Sequence, residues 1–196
     1  SNGYASPEVL DYLARWLDGY KVDLKSRRDS EYRKMGGTLQ PVLDTIKRVK
    51  QKGLWLEVVT LVIPGMNDSS DELWEAGRFL ASISNEIPWH VTAYHPDYKE
   101  DAPPTPAMTL QRAAEIGQEA GLRYVYAGNL PGRVGSLEDT LCPKCGKVVI
   151  ARRGYLLSGY HINAAGACAF CGHPIAGVWA ENPVTDRGSG YPRRIS

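Results

Sequence analysis

The sequence predicts an α/β protein with parallel strands, followed by a small module folded around a metal ion. Three observations predict it. Strand-like apolar segments start near residues 20, 54, 89 and 122, and helical apolar patterns lie between them. The second segment, LWLEVVTLVI, is β-branched and almost wholly apolar, as expected of a strand buried on both faces. All four cysteines lie beyond residue 140, in two C-x-x-C pairs.

In chain order, Ser6-Pro7 gives an N-cap with proline at the first helical position, and Val9, Leu10, Leu13, Trp16 and Leu17 recur at helical spacing. Gly19 is expected to end this helix, and YKVDLK from Tyr20 reads as the first strand. Leu39, Val42, Leu43, Ile46 and Val49 form the next helical stripe, closed by Gly53 just past the C-cap. After the strand Leu54–Ile63, Pro64-Gly65 turns the chain, and Leu73, Trp74, Phe79, Leu80 and Ile83 mark another helix. Trp89–Tyr94 is the third strand. A helix from about Leu110 to Ala120, capped by Thr109 and stopped by Gly121, leads into the fourth, LRYVYA.

A period of about 34 residues also occurs in all-helical repeats. The alternation of strand and helix argues instead for βα units with right-handed crossovers. Four units amount to half of an eight-stranded barrel, so residues 1–137 are expected to form a partial TIM-type (β/α) barrel. A complete small α/β domain with ordinary sheet edges is the simpler alternative. The chain opens at a turn, Asn2-Gly3, as though a strand preceded it. Residues 138–180 form the cysteine module, zinc-ribbon-like in character, and the polar residues 181–196 are expected to be a disordered tail.

Composition narrows the function. With 23 basic and 22 acidic residues the net charge is +1, so neither nucleic acid nor an anionic membrane surface is an expected partner. No apolar run approaches the ~20 residues of a membrane span. SNGYASPEVL is neither a signal nor a transit peptide. Metal-binding thiolates call for a reducing compartment, hence a cytoplasmic location. Asn67-Asp68-Ser69 fits a glycosylation sequon but reads as a loop that starts a helix.

Cys142-Pro-Lys-Cys145-Gly and Cys168-Ala-Phe-Cys171-Gly are two knuckles. Each turns tightly enough for both sulfurs to face one ion, and Gly146 and Gly172 let the backbone curl around it. Four sulfurs with no spare ligand make a closed, structural tetrahedral site, most simply zinc; iron or an iron–sulfur cluster is the other metal such a cage takes. Disulfides, or a redox pair, are the non-metal alternatives. His161 and His173 are expected to stand outside the ligand set.

Among the polar residues of the barrel part, Asp23 and Lys25 alternate along a strand and so project to one side, near its C-terminal end. That is where barrels of this kind place their active sites, although a charge pair leaving the core would look the same. His95 follows the third strand in TAYHP, where a lone histidine is ordinarily structural. Glu57, with Thr60 on the same apolar strand, needs a partner, and Asn129 suits a turn cap.

SNG, VDLK, LVIPGMND and AYH, in this order and spacing, resemble the radical SAM activating enzymes, the pyruvate formate-lyase activating enzyme group. YAGNLPG and a terminal cysteine module ending HPIAGVW are similar, more narrowly, to the AmmeMemoRadiSam system radical SAM proteins. The resemblance spans Ser1 to Trp179. It implies a partial TIM-type barrel that binds S-adenosylmethionine (SAM) on a four-iron, four-sulfur cluster and cleaves it to a 5′-deoxyadenosyl radical. It also implies that Asp23 and Lys25 hold SAM, Lys25 through the methionine carboxylate, with Asn2 and His95 near the same pocket.

There are three departures from the family pattern. The cluster-binding CxxxCxxC loop and the glycine-rich GGEP segment are absent, and Val59 and Thr60 stand where the activating enzymes carry an arginine. The chain is therefore expected to be the C-terminal part of such an enzyme, inactive alone, with the N-terminal part of the barrel as its partner and a protein as one candidate substrate. The competing expectation is a non-catalytic zinc-knuckle module that binds a protein, carried on an inactive α/β remnant. A non-radical barrel enzyme would need an acid–base pair, for which Asp23 and His95 are the candidates.

Overall fold

The computed structural model describes residues 1–179. Its main sheet has four parallel strands in chain order: β1 (Gly19–Asp23), β2 (Trp55–Val62), β3 (Trp89–Ala93) and β4 (Val125–Gly128). Around them run α1 (Pro7–Leu13), α2 (Asp29–Lys34), α3 (Leu39–Gln51), α4 (Ser70–Ile83) and α5 (Ala107–Glu119). The fold is the half-barrel of βα units that the alternation predicts.

The core lies between one face of this sheet and the helices. Leu56, Val58, Thr60 and Val62 of β2 are buried, as are Trp89, Val91 and Ala93 of β3. They meet the apolar stripes of α3 (Val42, Ile46, Val49), α4 (Leu73, Leu80) and α5 (Leu110, Ala113). The alternate residues of β2 are only half-buried. This corrects the expectation of burial on both faces: helices cover one face only. Trp89 anchors the centre, its Nε1 donating to Thr60 Oγ1 at 2.9 Å, and Thr60 Oγ1 in turn donates to the Leu24 carbonyl at 2.9 Å. Gly117 is required here, because a Cβ would stand 2.9 Å from the Trp89 ring.

Several boundaries differ from expectation for local reasons. Ser6 caps α1 by accepting from Val9 N at 3.3 Å, but the helix ends at Leu13 and Val9 and Trp16 are exposed. Gly19 opens β1 instead of closing the helix. The short α2 was not predicted, since only Tyr32 of its six residues is buried and no stripe forms. The N-cap of α5 is Pro106, which places Thr109 inside the first turn. Gly53 and Gly121 do end their helices, at φ of +75° and +104°.

A second sheet is antiparallel, β5 (Thr140–Leu141), β6 (Val148–Arg153) and β7 (Leu156–Tyr160), in that order. Its apolar cluster joins Cys142, Val149, Ile150, Ile162, Cys168 and Ile175 to Tyr124, with Tyr126 and Trp179 packed against it. Tyr124 and Tyr126 belong to the last strand segment of the main sheet, so the cysteine module is seated on β4. The tail expected over 181–196 lies outside the described residues. No helix among the described residues is long and apolar enough to cross a membrane.

Candidate functional site

The four cysteine sulfurs converge, all within 4.8 Å of one another. Cys142 and Cys171 Sγ are 3.6 Å apart, and Cys145 and Cys168 Sγ 3.8 Å. A tetrahedral zinc with Zn–S bonds of ~2.3 Å sets sulfur–sulfur edges of about 3.8 Å, so the cage fits that ion. A disulfide, at about 2 Å, does not fit these separations.

The knuckles are built by the backbone. Gly146 N donates to the Cys142 carbonyl at 2.9 Å and Gly172 N to the Cys168 carbonyl at 2.8 Å, each glycine at a φ near +70°. Burial works against ionising Cys142, but the amides of Cys145 and Lys144 outweigh it and bring its thiol down to about 7. At Cys171 the His173 amide favours the thiolate, yet burial and the neighbouring thiols push it up to about 12. Four thiolates this close need a cation among them. Neither His161 nor His173 contributes to the cluster of ligand atoms.

The second candidate region is the rim at the C-terminal ends of the parallel strands. Lys25 Nζ donates to Asp23 Oδ2 at 3.0 Å, and Lys21 Nζ stands 2.9 Å from Oδ1 as an ion pair. Burial opposes the Asp23 charge, but the two ammonium groups outweigh it and hold the carboxyl below its ordinary range. Ser1 N donates to the Lys21 carbonyl and Asp23 N to the Ser1 carbonyl, both at 2.9 Å, which is one step of a parallel ladder on the outer edge of β1. Asn2 then turns the chain, its Oδ1 accepting from Tyr4 N at 3.1 Å. Gly3 (φ +80°) passes so close to the core that a Cβ would lie 2.9 Å from Val42. The SNG turn is thus joined to the strand that carries Asp23.

His95 lies just past the end of β3. It is exposed, out of step with His90 and Thr92 along the strand, and its Nδ1 lies 3.2 Å from the Pro96 carbonyl. Asn129, at φ +65°, donates from Nδ2 to the Ala93 carbonyl at 3.1 Å and ties β4 to β3.

Two rim residues carry more structure than the sequence reading gave them. Asn67, fully buried, accepts from Ile63 N at 2.7 Å and donates to the carbonyls of Lys25 at 2.6 Å and Leu61 at 2.9 Å. Glu72 of α4, also buried, accepts from Ser26 Oγ and from Arg27 N at 2.5 Å, and pairs with Arg28 Nε at 2.8 Å. Together they clamp the loop that presents Lys25. The IPGMND segment hinted at Asn67, and a glutamate in the first turn of a helix hid Glu72.

On the open face the register aligns Asp23, Val59, His90 and Tyr126 in one row. Glu57 finds the partner it needed: Oε2 accepts from His90 Nε2 at 2.8 Å and Oε1 from Trp55 Nε1 at 2.9 Å. The His90 contact is the larger cause that lowers the Glu57 carboxyl, against burial. His90 stacks on Tyr126 with ring centres 5.0 Å apart, and Tyr126 Oη meets Thr140 Oγ1 at 3.0 Å.

No protein-family model matches the chain. An uncharacterized protein of Methanocaldococcus jannaschii is 39% identical over 180 residues, 89% of this chain and 52% of that protein. The chain therefore spans about half the length of this curated relative. Among solved structures, a domain of pyruvate-formate lyase-activating enzyme from Bacteroides vulgatus superposes with a TM-score of 0.57 at 22% identity, over 64% of this chain and 76% of the domain. That likeness establishes the fold.

Proposed function

We propose that this chain is the C-terminal part of a radical SAM enzyme of the activating-enzyme type, with a structural zinc in its cysteine module. The observation that carries the reading is the half-barrel itself, which shares its fold with an activating-enzyme domain and presents the Asp23–Lys25 pair at the C-terminal rim. On a four-iron, four-sulfur cluster, SAM supplies a 5′-deoxyadenosyl radical for hydrogen abstraction. The residues present do not fit that cluster, because all four cysteines of the sequence sit in the knuckles. The reading therefore requires cluster ligands from outside this stretch, most simply from a barrel half that precedes Ser1.

The role of this chain's own residues would be to bind and orient. Lys25, held by Asp23 and by the Asn67 and Glu72 clamps, would offer its ammonium to the methionine carboxylate. Asn2 would line the same pocket through its junction with β1. His95, on the same rim, would have to turn away from Pro96 to take part. A thiolate zinc site suits a cytoplasmic protein.

The test is anaerobic reconstitution with iron and sulfide, followed by an assay for 5′-deoxyadenosine after reduction in the presence of SAM. The isolated chain should make none. The chain extended by the residues encoded ahead of Ser1 should make it, and Lys25→Ala in that protein should raise the KM for SAM. An upstream sequence lacking CxxxCxxC, or cleavage by the isolated chain, would sink the proposal.

A second reading, a knuckle module that docks a protein, is favoured by one observation: Tyr155 and Leu156 stand exposed at the β6–β7 turn. A stop codon or an unrelated domain ahead of Ser1 would shift the balance to it.

A further inference from the structure

Between the open face of the sheet and the cysteine module lies a cavity of about 570 Å³. Its sheet side carries Trp55, His90 and Tyr126, and its module side Arg152 and Trp179. That volume suits a molecule of one or two rings. The aromatic walls select for a flat π surface, which stacks on them with little loss of conformational freedom.

The polar groups decide the rest. Among the described residues two carboxylates border the cavity, and both already accept hydrogen bonds. Glu57 takes one hydrogen bond on each oxygen, from Trp55 and His90. Glu138 accepts from Gly132 N at 2.7 Å and Gly154 N at 2.6 Å. Among the described residues, Arg152 is only partly engaged. Its Nη1 donates to Thr140 Oγ1 at 2.7 Å and to the Glu138 carbonyl at 3.5 Å, and its guanidinium carbon lies 5.7 Å from the Tyr126 ring centre. Among the described residues, Nε and Nη2 have no acceptor. The spare capacity of the cavity is thus for donating to an anion, from a planar fork that matches a carboxylate.

We infer that this cavity binds a small aromatic carboxylic acid, its ring between Trp55, Tyr126 and Trp179 and its carboxylate on Arg152. The His90–Tyr126 row continues to Asp23 across the same face. Trp55, Pro88, His90 and Tyr124 lie at the starts of β2, β3 and β4, away from the C-terminal rim, so the ligand would be held apart from the SAM pocket of the radical SAM reading. Binding itself rests on the cavity alone and needs no cluster, so it stands or falls separately from SAM cleavage.

The experiment is isothermal titration calorimetry of the zinc-loaded chain with 4-hydroxyphenylacetate. Three analogues run beside it: 4-hydroxyphenylethanol without the charge, cyclohexylacetate without the aromatic ring, and tyramine with the opposite charge. The acid should bind, and each analogue should bind at least about tenfold more weakly. Arg152→Gln should lose about tenfold for the acid and nothing for the alcohol, whereas Arg152→Lys should keep part of the affinity. Circular dichroism and zinc content establish that each variant is folded. Because the analogue series uses the unmodified chain, it decides the matter even if Arg152→Gln does not fold. Absence of binding by the acid at 10 mM (about 2.7 kcal/mol), equal binding of acid and alcohol, or preference for tyramine overturns the inference.

Discussion

At Asn67 one buried amide satisfies three backbone groups, on β2, just past its end and in the loop that follows β1. Alanine there would leave Ile63 N and the carbonyls of Lys25 and Leu61 without partners. We expect a loss of about 2–4 kcal/mol by urea denaturation with an unchanged slope. Asn67→Asp should be no better, since it keeps the acceptor but turns negative charge toward two carbonyls. Glu57 makes a prediction about pH. Its carboxyl is held low in the folded protein by His90 and Trp55, so its stabilising contribution is present above the unfolded value of about 4.3. That contribution is lost as pH falls through the lower folded value. The stability gap between the native chain and Glu57→Gln should therefore be widest near pH 6 and narrow steadily toward pH 3, by urea midpoints. A gap that widened in acid would contradict a carboxylate stabilised by these two donors. At this scale the sequence showed the need for a partner but not its identity. Glu57 in an apolar strand demands one, while His90 is matched to it only by the offset between two strands 33 residues apart.

Among the elements, the cysteine module was the most legible, because its ligands come as two short local pairs whose spacing alone defines a cage. Elemental analysis should find about one zinc per chain, and Cys145→Ser should abolish it. Metal ligation holds the module and apolar burial holds the βα units, so we propose that they unfold separately. A chelator should remove amide-exchange protection from β6 and β7 while Val58, Trp89 and Val91 stay protected. Loss of all of them in one transition would show that the two parts are a single unit. The seat on β4 sets the limit to this independence: Tyr124 and Tyr126 should gain exposure when zinc leaves. Helix α2 was not legible, since six residues with one buried side chain carry no periodic signal. The sidedness of β2 was misjudged because its apolar residues on the open face look the same in sequence as those beneath the helices.

For the whole molecule, alternation of strand and helix was enough to foresee a parallel sheet, because short links force crossovers of one hand. It could not reveal that the cysteine module would close over the open face. That arrangement depends on where β4 ends and on two tyrosines that read as ordinary strand residues. It also puts an arginine of the module opposite a histidine of the sheet, a juxtaposition with no local signature. The plain order of the strands, β1-β2-β3-β4, has a consequence for how the protein is made. No strand waits for a later one to be inserted beside it, so each emerging segment finds its neighbour already synthesised. The sheet can grow at one edge at the pace of the ribosome, with each new helix covering the strand pair just laid down. The cysteines leave the exit tunnel after the tyrosines they pack against, so metal capture follows the laying down of the sheet.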